Sequence, residues 1–257
     1  MDPFVSRHIA ATHGRMYAHL AGRLGRYPIP GWPWSAVQDP EGKPAVLDLG
    51  CGWGRWALAA ANAGYRAVGV DRSLEAVRAA RRVARELGRE GETLWVCADV
   101  DRLPFRAETF AEVVAYGVWQ YLPGQGCGAL REAQAVLHPG GQLRVQLPHR
   151  GGLRARLFRR LARWGKPLEQ RVQYWTLAQM RDLGATAGAE PQGAAERPRL
   201  HAEGYFSTNA QWEDRDLLPL RYRCLVAASR LLCRCSRRWP ALLMLADAVW
   251  VDLPKAP

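Results

Sequence analysis

The stretch VLDLGCGWGRW, Val46 to Trp56, decides the fold. A short apolar run from Ala45 to Leu49 leads into glycines at 50, 52 and 54, and a helical pattern follows from Arg55 to Ala63. An apolar run without polar alternation reads as a parallel strand buried on both faces. Such a strand delivers the chain to the carboxyl edge of a sheet, where open α/β sheets bind ligands. Glycines there permit a tight turn and let a ligand touch bare backbone, because no Cβ stands between. Asp48 places a carboxylate at the same edge.

Outward from this stretch, strand and helix alternate. Further strands are predicted at Ala67–Val70, Thr93–Cys97, Glu112–Tyr116 and Gln142–Leu147. Gly64 reads as the residue that ends the first helix. Ser73 can cap the second, whose Leu74, Val77, Ala84 and Leu87 share a face before Gly88 ends it. A third helix is predicted over Cys127–Leu137. This rhythm predicts an α/β, doubly wound, Rossmann-like sheet with helices on both faces.

Upstream, Phe4, Ile9, Met16, Tyr17 and Leu20 suggest one or two helices, followed by the breaker-rich arm Gly25–Pro44. Residues 1–43 therefore read as a helical arm and loop, and 44–257 as the main domain. Beyond Pro148 the rhythm changes. Leu153, Leu157, Phe158, Leu161 and Trp164 line a basic amphipathic helix, and Thr176–Ala187 reads as another helix capped by Thr176. A strand is expected near Arg199–Tyr205. Leu220, Cys224, Leu225, Ala228, Leu231, Leu232 and Cys235 then share one helical face. Pro240 interrupts before Ala241–Ala246, and Val249–Leu253 reads as a closing strand.

The chain has 257 residues and a net charge of +12. Arg150–Arg171 carries eight basic residues against one acid, and Leu217–Trp239 carries six against none, leaving 22 basic and 23 acidic residues elsewhere. The basicity thus belongs to two late segments. No apolar run reaches the roughly 18 residues that span a bilayer, and the first twenty residues lack the pattern of a secretion signal. The six cysteines show no disulfide framework, so a reduced, cytoplasmic location is expected, with attachment at the inner membrane surface as its variant. The pair Cys233 and Cys235 lacks a second pair at zinc spacing, and no metal is expected.

The glycine spacing is G-x-G-x-G, not the G-x-G-x-x-G of a dinucleotide site. Asp71, at the end of the second strand, is placed to accept from both hydroxyls of a ribose. Asp99, just past the third, can accept from an adenine amino group. The competing readings are a strand-end cap for Asp48, a solvated loop acid for Asp71, and Asp101 in place of Asp99.

With these residues the sequence resembles the class I S-adenosylmethionine-dependent methyltransferases, in the small-molecule, type 11-like branch that includes the ubiquinone and menaquinone methylases. Four segments carry the resemblance in order: VLDLGCGWG, VGVDRS, CADVDRLPF and VLHPGGQL, spanning Ala45 to about Leu147. It implies a seven-stranded sheet whose last strand is antiparallel, with helical insertions after the fifth and sixth strands. It also implies S-adenosylmethionine as cofactor. Asp48 and the loop of Gly50, Cys51, Gly52 and Gly54 would hold the methionine portion, Asp71 the ribose, and Asp99 with Val100 the adenine; Arg72 and Tyr116 complete the implied lining.

Three features depart from the family pattern. Ala111 stands where an acid is usual, GVWQYLPG replaces a histidine-containing turn, and Trp53 and Trp56 are bulky for a loop and a helix start. The tryptophans are expected to pack on the N-terminal arm.

Methyl transfer needs an acceptor held in line and, for a hydroxyl, a base. His149, just past the fifth strand, is the candidate base, and Gln120 and Tyr121 are candidate acceptor contacts. His8, His13 and His19 fall in the N-terminal helices, and His138 at a remote turn. The expected activity is methylation, on oxygen, of a small or carrier- or lipid-linked organic acceptor in a secondary-metabolite, cell-envelope sugar or quinone pathway. The alternatives are an RNA methyltransferase gripping its substrate with the basic helices and a non-catalytic cofactor-binding partner subunit. For the basic segments three readings stand: solvated arginines over a packed face, an anionic or lipid-linked acceptor or membrane surface, and nucleic acid.

Overall fold

A computed structural model of the chain describes residues 1–12, 24–34, 42–162, 172–184, 197–206 and 211–256. Its strands are Ala45–Leu49 (β1), Arg66–Asp71 (β2), Thr93–Cys97 (β3), Phe110–Ala115 (β4), Leu137–Pro148 (β5), Arg199–Gly204 (β6) and Ala248–Pro254 (β7). They form one sheet in the order β3-β2-β1-β4-β5-β7-β6. The pairs from β3 to β5 are parallel. β7 runs antiparallel between β5 and β6. This is the seven-stranded sheet, last strand antiparallel, that the resemblance implied. Strand order reverses between β1 and β4, where diverging connections leave a crevice at the carboxyl edge.

The described α-helices are Pro3–Thr12 (α1), Arg55–Asn62 (α2), Leu74–Glu86 (α3), Cys127–Val136 (α4), Leu153–Ala162 (α5), Leu177–Arg181 (α6) and Leu220–Arg238 (α7). Alternate strand residues face opposite layers. Val46, Val114 and Trp250 pack with Trp56, Ala57 and Ala60 of α2. Leu47, Leu143 and Val251 pack with Leu130 and Ala133 of α4 and Met180 of α6. α5 follows β5 and α7 follows β6, as the expected insertions.

Local signals placed several boundaries. The Ser73 Oγ accepts from the Ala76 N–H at 3.2 Å, and Thr176 forms a reciprocal capping box with Gln179. Two helical faces differ from the sequence reading. On α3 the buried residues are Ala76, Val77, Ala79, Ala80, Val83 and Ala84, while Leu74 and Leu87 are exposed. Small alanines let the helix approach the sheet on a face rotated from the one marked by leucines. On α7 the buried residues are Val226, Ser229 and Ser236, while Leu220, Leu225 and Leu231 are exposed. His13, Met16, Tyr17, His19, Leu20, the side chains of Phe158 and Leu161, Trp164 and the end of the predicted Thr176–Ala187 helix lie outside the described residues.

The N-terminal arm is tied down by aromatic packing. Trp34 lies 5.8 Å from Trp56 and 4.8 Å from Trp250 between ring centroids, and Tyr27 lies 5.9 Å from Trp53. The bulky tryptophans of the glycine segment therefore pack on the arm, as expected. Arg55 adds a polar tie, donating from Nε to the Pro28 carbonyl at 2.7 Å and pairing through Nη2 with the buried Asp214.

A buried charge network stitches three strands. Arg144 on β5 reaches Glu112 on β4 at 3.2 Å and Asp252 on β7 at 3.0 Å. Burial raises the Glu112 carboxyl above its ordinary range, against the pull of Arg144. Removing one partner of such a network leaves the other charges buried. Arg144→Met is expected to cost about 3–5 kcal/mol at pH 7, measured by urea denaturation. The deficit should shrink as falling pH protonates Glu112; a loss of equal size at pH 5 and pH 8 would contradict this role.

Candidate active site

The glycine loop is held by backbone geometry. Gly50, Gly52 and Gly54 have φ of 65°, 54° and 87°, in the left-handed region that other residues seldom adopt. The loop lies against the end of β2: the Cys51 N–H donates to the Val70 carbonyl at 2.9 Å, and the Gly52 N–H to Asp71 Oδ2 at 2.9 Å. The Ser73 N–H donates to Asp71 Oδ1 at 2.8 Å. Each carboxylate oxygen of Asp71 thus accepts one amide and keeps capacity for a ligand hydroxyl.

Asp48 sits beneath the loop, buried, with Oδ2 accepting from the Ala57 N–H of α2 at 3.0 Å. Burial pushes its carboxyl up to about 8, the Ala57 hydrogen bond opposes the rise, and the charge of Asp71 adds to it. Burial raises the Cys51 thiol too, aided by Asp48 and Asp71. His8 of α1 reaches over the loop, so that a Cβ on Gly52 would lie 3.2 Å from its Nε2. Burial lowers the pKa of His8, and the nearby Asp71 partly restores it.

A cavity of about 750 Å³ opens along this edge. Asp48, Gly50, Cys51, Gly52, Asp71, Arg72, Asp99, Val100 and Tyr116 all line it, as do Gln120, Tyr121 and His8. Asp99 accepts from the Asp101 N–H through Oδ1 at 3.1 Å, and Asp101 lines the cavity as well. The residues singled out along four separate segments therefore share one cleft.

Two do not line it. Gly54 is a packing glycine: a Cβ there would fall 2.3 Å from the Trp95 ring. His149 is buried outside the lining, with Nδ1 3.0 Å from the Ala246 carbonyl and its backbone bridged to Trp175. It braces the end of β5 against the segment entering β7 and is not among the residues lining the cleft, where the expected base would have to act. His138 is exposed at the opposite end of β5.

Sequence reasoning missed the far wall. Glu203 at the end of β6, Asp247 before β7, Gln146 on β5, Arg154 on α5 and Tyr174 complete the cleft. Tyr116 Oη donates to Glu203 Oε1 at 3.2 Å, and Gln211 Nε2 donates to the same oxygen at 2.8 Å. The second oxygen, Oε2, is buried without a hydrogen-bond partner, and so is Gln120 Oε1. Gln146 Oε1 accepts from the Gly117 N–H at 3.1 Å, and Asp247 Oδ1 accepts from the Arg154 N–H. Only the seven-strand topology brings β6 and β7 to this cleft; no local motif marks them.

Residues 46–141 match the family model described as a methyltransferase domain. The matched segment holds the glycine loop, Asp48, Asp71 and Asp99, so this part of the chain is a methyltransferase domain. Among solved structures it is similar to the [4+2]-cyclase SpnF, at 18% identity over 98% of this chain and 95% of that one, with TM-score 0.55. It is similar also to a SAM-dependent methyltransferase from Thermotoga maritima, at 13% identity over 98% and 91%, with TM-score 0.53. A third is from a study of disulfide conversion to a thioacetal during echinomycin biosynthesis, at 21% identity over 84% and 77%, with TM-score 0.52. These likenesses show the fold. No protein of curated function matches the sequence.

The cleft fits the cofactor. The glycine loop presents backbone, Asp71 has oxygens able to accept further, and Asp99 Oδ2 is not engaged by the Asp101 turn. In Asp71→Ala the affinity for S-adenosylhomocysteine should fall by about tenfold or more, the scale of a lost charged hydrogen bond; unchanged affinity by calorimetry would contradict the placement. Asp48 carries a second prediction. Its folded-state carboxyl is raised from 3.8 to about 8, so its contribution to stability is present below pH 4 and lost as pH rises through 8. Relative to wild type, cofactor-free Asp48→Asn should gain stability between pH 5 and 8; parallel melting curves across that range would refute it.

Proposed function

We propose that the chain methylates an oxygen of a small or carrier-linked organic acceptor, with Glu203 taking the hydroxyl proton. The observation that carries this is Glu203, which lines the same cleft as the glycine loop and whose Oε2 is buried without a hydrogen-bond partner. A buried carboxylate oxygen without a donor is costly, and an acceptor hydroxyl would supply one. Gln120 Oε1, also buried and unpartnered, offers a second polar contact.

Burial raises the Glu203 carboxyl above its usual range. The hydrogen bonds from Gln211 and Tyr116 and the charge of Arg55 oppose the rise, and Asp247 adds to it. A raised pKa makes a carboxylate a stronger proton acceptor near neutral pH. Tyr116 and Gln211 fix its orientation through Oε1 and leave Oε2 for the acceptor. Tyr116, Tyr121, Tyr174, Val172 and Ala155 give the rest of this wall an aromatic and apolar lining suited to an organic acceptor.

When bound, the cofactor would be held by the glycine loop, Asp71 and Asp99 and would supply an electrophilic methyl group on a sulfonium, with the thioether as leaving group. Glu203 receives the hydroxyl proton, so charge balances within the cleft. Transfer then needs the acceptor oxygen held in line with the methyl group.

Turnover of hydroxylated acceptors (phenols, hydroxy acids, sugars) is read by release of S-adenosylhomocysteine. Glu203→Gln should lower kcat about 100-fold or more and remove the rise of rate with pH. Its affinity for S-adenosylhomocysteine should stay near that of wild type. A variant as fast as wild type would exclude Glu203 as the base, and turnover of amines alone would exclude oxygen as the site.

A further inference from the structure

The long helix α7 is amphipathic in the inverted sense. Its inner face carries Tyr222, Val226, Ser229, Cys233 and Ser236; its outer face carries Leu220, Cys224, Ala228 and Leu231. At about 100° per residue the outer four span an arc of roughly 80°. Leu220 is 76% exposed and Leu231 61%. The inner serines are satisfied: Ser229 Oγ accepts from the Tyr205 N–H at 2.9 Å, and Ser236 Oγ donates to the Cys233 carbonyl at 2.8 Å. Just past the helix, Trp239 is 60% exposed and Met244 55%. A helix lying on a domain in water ordinarily turns its apolar stripe inward.

Charge identifies what this face meets. Arg221 flanks the stripe on one side, Arg223 and Arg234 on the other, and Arg238 closes its end. From Leu217 to Ala246 there is no acidic residue. Among the described residues none of the six α7 arginines pairs with a carboxylate; Arg223 donates to the Leu218 and Asp216 carbonyls, and Arg221 and Arg230 lie over aromatic rings. An apolar stripe bordered by unpaired arginines, with a tryptophan at its end, is complementary to the boundary between anionic headgroups and acyl chains. The stripe can enter the acyl region while arginine stems lie along it and guanidinium groups reach the phosphates. No described helix is long and apolar enough to cross a membrane.

We propose that the outer face of α7, continued by Trp239 and Met244, docks the protein on the surface of an anionic lipid bilayer. Docking there would bring the cleft close to the lipid surface, because Asp247 and Ala248, three and four residues beyond Met244, line it. The proposal stands whether or not Glu203 is the base.

The test is co-sedimentation of the full chain with large vesicles of phosphatidylcholine and phosphatidylglycerol at 3:1, against vesicles of phosphatidylcholine alone. The chain should pellet with the anionic vesicles and remain in solution with the neutral ones. Salt should weaken the binding, with part of it persisting at 0.5 M because the apolar stripe contributes. The double variant L220E/L231E should lower vesicle affinity at least tenfold while keeping the wild-type melting temperature. Arg221→Gln with Arg234→Gln should lower it several-fold without adding charge to the stripe. Absence of vesicle binding by wild type would overturn the proposal, and so would equal binding by the folded variants. Self-association or RNA retention through this face, without vesicle binding, would overturn it as well.

Discussion

The Gly52 N–H donates to the Asp71 carboxylate across the ends of two parallel strands, and the site depends on that bond. It pins the loop leaving β1 to the acid ending β2, so the bare backbone and the carboxylate face one cleft. The bond requires the left-handed backbone at Gly52 and the parallel register that sets Leu49 beside Val70. Asp48 supports the loop from below through the first turn of α2, at the cost of a buried carboxyl that burial holds mostly protonated near neutral pH. The sheet supplies position, the loop supplies shape, and the carboxylates supply acceptors for the donors of a ligand.

Much of this was legible in the sequence because it is local. Glycine spacing, a strand-end acid and a cap such as Ser73 act within a few residues, so Asp48, Gly50, Gly52, Asp71 and Asp99 could be placed on the cleft before any coordinates. The acceptor wall was not legible in that way. Glu203 reaches the cleft only because β7 inserts antiparallel between β5 and β6, a pairing set by distant residues. His149 looked well placed at the end of β5, but the Ala246 carbonyl takes up its ring and turns it into the sheet end.

The helical faces teach a related lesson. Periodicity showed an apolar stripe in α3 and in α7; on α3 its middle, Val77 and Ala84, is buried and its end leucines are exposed, while on α7 the buried residues are Val226, Ser229 and Ser236. On α3, alanines allow closer approach than leucines and win the packing. On α7, serines with hydrogen-bond partners inside the fold leave Leu220 and Leu231 outside. A stripe says that a helix is two-faced; it does not say which face meets the protein.

A nucleoside cofactor seated on the loop joined to Asp71 would perturb the amides of that loop. The most direct test follows the backbone amide resonances of Gly50, Gly52 and Ser73 during titration with S-adenosylhomocysteine. These amides should shift saturably, together with those at the end of β3. Saturable binding that leaves Gly52 and Ser73 unmoved, or no binding at all, would contradict that seat on the loop.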